Sequence, residues 1–187
     1  MPRKSITALL AQANTTLPNN ATQEITAADV RDMVKDITDT FAPGYAAAAI
    51  AALLMPALGA VPAVVTYNTQ LVLTADYIVN LAAGQITRVS NGLNPTFNRV
   101  SFYSGVAAPN GNEVLFQLYR DGVAIPGGVG VSAQGAGNIV AASFSIPTAA
   151  ADALNHVYEV RASKISGGID DVTLSNVRFI FEYVPTV

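Results

Sequence analysis

The sequence predicts a mainly β protein, in which a jelly-roll or β-sandwich domain follows a short α-helical N-terminal arm. Residues 67–187 are rich in β-branched and aromatic side chains and have Gly, Pro and Asn at regular breaks, which is typical of strands and turns. Residues 1–43 form a polar arm that contains an amphipathic helix pattern. Charged residues make up only 12% of the chain and apolar residues 51%, whereas an average soluble domain has about 25% charged residues. Such a surface indicates burial between subunits or contact with a membrane.

The arm's main element is a helix that begins at Thr26. Thr26 is a good N-cap, and Asp29 at the third helical position gives a pair that resembles a capping box. One helical face is apolar and consists of Val30, Met33, Val34, Ile37 and Phe41, which we call the arm stripe. Pro43 and Gly44 end the helix. A helix of about four turns is too short to be stable alone, so we expect the arm stripe to be buried against a partner on the particle. The alternative is that it packs on its own β-domain or on the neighbouring arm of a trimer.

The start of the arm is expected to be a short helix from Ile6 to Ala13, with Ser5 as its N-cap. Arg3 and Lys4 before an apolar run are also typical of a signal peptide. The apolar run is about six residues, however, and a signal peptide needs about 7–15.

The connector between arm and β-domain, residues 44–66, is uncharged and rich in Ala. Because Ala favours helices, we expect a helix from Tyr45 to Met55 that ends at Pro56. No charge occurs from Ala42 to Thr74, which raises the alternative of a membrane-spanning helix. Two prolines and a glycine interrupt the run, so the favoured interpretation is a partly helical connector and no membrane span.

The β-domain, residues 67–187, contains seven candidate strands. They are Gln70–Thr74, Tyr77–Asn80, Thr96–Ser104, Glu113–Arg120, Asn138–Ile146, His156–Lys164 and Val172–Val184. Asp121-Gly122 predicts a tight hairpin turn after the fourth of them. Seven or eight short strands with turns this frequent predict a sandwich or jelly roll.

Composition restricts the chemistry. The chain has no Cys and one His, so thiolate metal sites and most zinc and Ser-His or Cys-His catalytic sites are excluded. The net charge is −3 and the ten basic residues are scattered, which argues against nucleic acid as a partner. We therefore expect no cofactor, no metal and no catalytic residues.

Three weaker motifs have ordinary structural interpretations. Residues 128–133 fit a loose G-x-G-x-x-A pattern but lack a βαβ context, so we interpret them as a loop. Asp170-Asp171 could contact calcium, although no further carboxylate lies at ligand spacing, and an exposed turn is favoured. Asp152, His156 and Glu159 could form an acid–base cluster, but solvated side chains are the favoured interpretation.

Two segments resemble known families. The segment LPNNATQEITAADVRDMVKDITDTF, from Leu17 to Phe41, closely resembles an N-terminal segment that recurs in tailed-bacteriophage virion proteins, of the form L-P-x-N-x-x-x-x-I-T-x-x-D-V-R. FQLYRDGVAI, from Phe116 to Ile125, then HVYEVRAS, from His156 to Ser163, and a final apolar strand are similar in layout to trimeric jelly rolls of the tumour necrosis factor-like type. No Gly-Asp pair precedes His156, which departs from that pattern.

The phage resemblance implies a virion protein without catalytic residues. The leading hypothesis is a capsid decoration or cement protein that forms a homotrimer and binds the major capsid protein, or another virion protein, through its arm. The alternative is a short tail fibre or receptor-binding protein whose distal loops recognise a bacterial surface glycan. A carbohydrate-active enzyme on a β-scaffold is disfavoured because paired carboxylates are scarce.

Overall fold

Two antiparallel sheets and two helical segments near the N-terminus make up the described part of the chain in the computed structural model. The structure describes residues 11–13, 27–41, 44–89, 98–107, 113–131, 140–148, 154–165 and 168–183. Residues 11–13 are helical, and α1 spans Ala27–Phe41 with Asp29 in its first turn. The predicted arm helix is therefore confirmed. The predicted caps Ser5 and Thr26 lie outside the described residues.

The first sheet has five strands in the order β3-β1-β11-β6-β9. Their bounds are Thr69–Leu73 for β3, Gly44–Leu58 for β1, Asp170–Tyr183 for β11, Asn98–Ala107 for β6 and Val140–Thr148 for β9. The pairing of β1 with β11 runs from Gly44 opposite Tyr183 to Leu58 opposite Asp170. A bulge near Ala57, whose φ is 51°, interrupts the register at one end.

The second sheet has the order β4-β5-β10-β7-β8, and the short strand β2 also pairs with β10. The bounds are Ala63–Val64 for β2, Tyr77–Asn80 for β4, Gln85–Arg88 for β5, Val114–Arg120 for β7, Val123–Val131 for β8 and His156–Lys164 for β10. Gly84 turns the chain between β4 and β5 at φ 68°. A Cβ there would clash with the Val65 carbonyl oxygen, so the turn requires glycine.

The core lies between the two sheets and is built from interlocking aromatic rings. Phe102 of the first sheet packs on Phe116 of the second with ring centroids 5.0 Å apart. Tyr158 of the second sheet packs in the same way on Phe181 of the first, at 4.8 Å. These rings are fully buried, and their contacts hold the sheets face to face. The predicted jelly-roll or β-sandwich class is confirmed.

The predicted helix from Tyr45 to Met55 is wrong, because these residues form most of β1. Ala46 lies opposite Phe181 and Ala48 opposite Phe179 on β11. Both alanines are fully buried, and their small size leaves room for the two rings. Pairing along a whole strand outweighs the helix propensity of Ala, which is only a few tenths of a kcal/mol per residue above that of ordinary residues. The stretch expected to be a connector thus contributes a central strand.

Three further elements were not predicted as strands. They are β2, β5 and β8, and β8 includes residues 128–131, which the sequence suggested were a loop. Within the described residues, none of the helices is long and apolar enough to cross a membrane.

Candidate functional site

The outer face of the five-stranded sheet is the first candidate surface. Side chains alternate between the core and the exterior along β1, β11 and β6. Ala48, Phe179 and Phe102 form one inward row. The rows on either side point outward and define what we call the outer face: Tyr45, Ala47, Ala49, Arg99, Ser101, Tyr103, Arg178, Ile180 and Glu182.

The centre of the outer face is uncharged. Ala47 lies opposite Ile180, which in turn lies opposite Ser101 on β6. Ala47 and Ser101 are buried within the chain, and Ile180 is half-buried. Tyr103 projects from this face and is 46% exposed. At one border Arg99 forms an ion pair with Glu182, with nitrogen and oxygen 3.8 Å apart. The exposed Tyr103 is therefore the group on this face that a second surface could contact.

The arm stripe is the second candidate. Val30, Val34 and Ile37 are exposed on α1, with Val34 at 56%, and Met33 is half-buried. Phe41 is the last residue of α1, and its side chain lies outside the described part of the chain. The described stripe residues thus present an accessible apolar surface.

A cavity of about 400 Å³ is the third candidate. It lies at the end of the sandwich where β1 finishes and β11 begins, which we call the tip. The arm precedes β1, which begins at Gly44, so the tip lies at the far end of β1 from this junction. Apart from Thr66, its lining consists of apolar residues and glycine, and Val61 and Ile169 stand exposed at 81% and 70%. A concave apolar site of this size suits a small apolar group.

The residues of the suspected acid–base cluster are engaged separately. His156 is buried, and its Nδ1 lies 2.5 Å from Asp121 Oδ2. The Glu159 carboxylate accepts hydrogen bonds from Gln85 Nε2 and Arg161 Nε, at 2.9 and 2.7 Å. Asp152 lies outside the described residues. The structure therefore joins His156 to a different carboxylate from those that the sequence suggested.

The electrostatics of Asp121 follow from this pairing. Partial burial raises its pKa, but the Val157 N–H, which donates to Oδ1 at 2.8 Å, and the neighbouring His156 and Arg120 lower it more. The net effect is a pKa below the ordinary value of 3.8. Asp121 is therefore an anion that clamps the β7–β8 turn to the start of β10.

The Asp170-Asp171 pair is held by protein groups. Asp170 accepts a hydrogen bond from Lys164 Nζ at 2.5 Å, and Lys164 is buried. Asp171 Oδ1 accepts the Ala57 N–H at 2.9 Å and thereby fixes the bulge in β1. Across the described residues, no group of three or more His, Cys, Asp or Glu could hold a metal ion.

The sequence did not reveal two features of these surfaces. The outer face depends on β1, and a run of alanines carries no alternation that would mark a strand. Arg88 is buried at the end of β5, although the sequence presents it as one of several scattered basic residues. Arg88 follows Ile86 by two residues, and residues two apart on a strand share a face. This spacing is what could have indicated that Arg88 faces the interior with Ile86.

Comparison with known proteins gives the fold. No protein-family model matches the chain, and no curated protein matches it. A crystal structure of murine APRIL at pH 8.0 has a TM-score of 0.51 and 5% identity, covering 76% of this chain and 100% of that chain. Murine APRIL at pH 5.0 gives 0.50 and 6%, with the same coverages. The globular domain of a zebrafish complement 1qA protein gives 0.48 and 10%, covering 76% and 98%. The APRIL matches identify a β-sandwich of the tumour necrosis factor-like kind.

Proposed function

We propose that the chain is a structural protein of a tailed-bacteriophage virion. In this proposal it is a capsid decoration or cement protein that self-associates through its sandwich and attaches to the head shell through its arm. The observation that carries the proposal is the exposed arm stripe on a helix that belongs to a segment resembling phage virion proteins, Leu17 to Phe41.

Physical chemistry supports the arm as the attachment point. A helix of 15 residues is marginal in water unless its apolar face is buried. Burying the five stripe residues would contribute on the order of 10 kcal/mol before the entropy costs of docking. The major capsid protein, or another virion protein, is the proposed partner.

Self-association is the second part of the proposal, and the outer face supports it. This face combines small side chains with the exposed Tyr103, and the whole chain is only 12% charged. The proposed number of subunits is three, because the sequence resembles trimeric jelly rolls, so we propose a homotrimer.

We also propose that the chain is not an enzyme and needs no cofactor. The support is chemical, because the single histidine is committed to Asp121 and the chain has no thiol. In this proposal the sandwich acts by packing against other copies of the chain and by exposing its surface to binding partners.

The arm is tested by removing residues 1–43, which leaves all of the described strands intact because β1, the first of them, begins at Gly44. Full-length and shortened chains are mixed with heads of the encoding phage that lack the protein, and binding is measured by co-sedimentation. We expect the shortened chain to keep its circular dichroism spectrum and its trimer mass but to lose binding.

Point variants refine the arm test. The double substitution Val34→Asp and Ile37→Asp places charges in the arm stripe, and we expect it to weaken binding strongly. Arg31→Gln on the exposed polar face is the matched control and should bind normally. Unchanged affinity of the shortened chain would show that the anchor lies elsewhere.

The tip cavity favours a second candidate, a short tail fibre or receptor-binding protein. If the arm holds the particle, the tip and its exposed Val61 and Ile169 point away from it, where a bacterial surface molecule could bind. Electron microscopy of virions with labelled protein separates the two candidates. Many copies over the head support decoration, and a few copies at the tail support the fibre.

A further inference from the structure

Arg88 is a buried charge at the arm end of the sandwich. It is the last residue of β5, and like Ile86 two residues earlier it faces the interior. It lies opposite His156 on β10 and opposite Tyr77 on β4, and all three side chains are buried. Only 3% of Arg88 is exposed.

The guanidinium of Arg88 has unused donors. Nη1 and Nη2 are both buried and have no hydrogen-bond acceptor within the part of the chain that the structure describes. The Asp121 carboxylate, on the other side of His156, is occupied by His156 Nδ1 and the Val157 N–H. Asp76 accepts a hydrogen bond from the Thr74 hydroxyl, at 3.2 Å.

Burial of a guanidinium without an acceptor is unfavourable, because the charge and its N–H groups lose their water. A buried charge is normally paired with an opposite charge and fully hydrogen-bonded. The two amino groups of arginine form a planar fork that matches the two oxygens of a carboxylate or a phosphate.

We infer that Arg88 is the recognition group of an oxyanion site at the arm end, one that takes a carboxylate or phosphate group. The oxyanion can come from a small anion in solution or from a carboxylate of a second copy. Hydrogen bonds place the site beside the arm's entry: the Thr74 N–H donates to the Tyr45 carbonyl, and the Val89 N–H donates to the Asp76 carbonyl, both at 2.8 Å. The inference does not depend on where the protein sits in a particle.

The test is thermal unfolding of the full chain in a titration with inorganic phosphate at constant ionic strength. We expect the melting temperature to rise saturably with millimolar phosphate, by about 3 °C or more at saturation. The Arg88→Gln variant should lose this rise. Arg161→Gln is the matched control, because Arg161 lies on the same sheet, is only partly buried and pairs with Glu159, so its variant should keep the rise.

The test distinguishes the two sources of the oxyanion, a small anion from solution and a carboxylate of a second copy. If phosphate has no effect but Arg88→Gln, unlike Arg161→Gln, shifts the native mass toward smaller species, the oxyanion comes from a second copy. A second variant, Arg88→Lys, covers the case in which Arg88→Gln does not fold. Lysine keeps the positive charge but lacks the planar fork of two amino groups, so we expect this variant to fold and to show a smaller rise of the melting temperature with phosphate.

The inference is overturned if phosphate, acetate and citrate leave the wild-type melting temperature unchanged and Arg88→Gln leaves the native mass unchanged. It is equally overturned if the rise is unsaturable, or the same in the wild type and Arg88→Gln, because either result indicates a general salt effect.

Discussion

Asp121 shows how a single residue can fix the end of a sandwich. It occupies the left-handed region, with φ 51°, at the first position of the β7–β8 turn. Its N–H donates to the Val157 carbonyl, and its own oxygens accept the Val157 N–H and face His156. One side chain thus joins the turn to the first two residues of β10. The Asp-Gly sequence predicted the turn, but the partner on β10 could not be read from local sequence.

The lowered pKa of Asp121 predicts acid sensitivity. A carboxyl whose folded-state pKa lies below its unfolded value of about 3.8 contributes stability above that pH. This stability is lost as the pH falls through the folded pKa. Urea unfolding at pH 7 and pH 3 checks the sign: Asp121→Asn should be less stable than the wild type at pH 7, and the difference should narrow at pH 3. Asn also tolerates the left-handed conformation, so backbone strain does not confound the comparison. A difference that widens on acidification would contradict this account.

At the element scale, β1 and α1 show what local sequence can and cannot specify. The start of α1 was predictable because caps and a 3.6-residue apolar period are local signals. The strands His156–Lys164 and Tyr77–Asn80 were predicted with their observed bounds. The β1 strand was missed because its alanines carry no alternation, and the aromatic rings on β11 that favour small side chains lie more than a hundred residues away in sequence.

The strand character of β1 gives a mutational prediction. Ala48 is fully buried opposite Phe179, so Ala48→Leu should overpack the core and lower the free energy of unfolding by about 1–3 kcal/mol. Ala51 is exposed on the same strand, and Ala51→Leu should change it by less than about 0.5 kcal/mol. Chemical denaturation measures both. A helix would place residues 48 and 51 on one face, so similar effects of the two substitutions would argue against the strand.

At the scale of the whole molecule, the candidate surfaces occupy separate places. The start of β1 and Arg88 lie at one end, the cavity lies at the tip, and the outer face lies along one sheet. The arm stripe could therefore attach to a particle, the tip could bind another molecule and the outer face could contact other subunits at the same time, because these roles use different residues. The sequence predicted the sandwich and the arm stripe. It could not locate the outer face or the cavity, since both form only when distant strands pair.

Self-association through the outer face gives the last prediction. Tyr103→Glu places a negative charge on this face, opposite Arg178 of the same chain. Because Tyr103 is already 46% exposed, the substitution should leave folding nearly unchanged, within about 0.5 kcal/mol. Burying a carboxylate in a subunit interface is unfavourable even beside Arg178, because the cost of removing both charges from water can exceed their mutual attraction, so the native mass should fall from trimer to monomer at micromolar concentration. Ile78→Glu is the matched control, because Ile78 is 57% exposed on β4 in the other sheet, and this variant should remain trimeric. A wild-type chain that is monomeric at this concentration, or a Tyr103→Glu variant that stays trimeric, would contradict the assignment of the outer face.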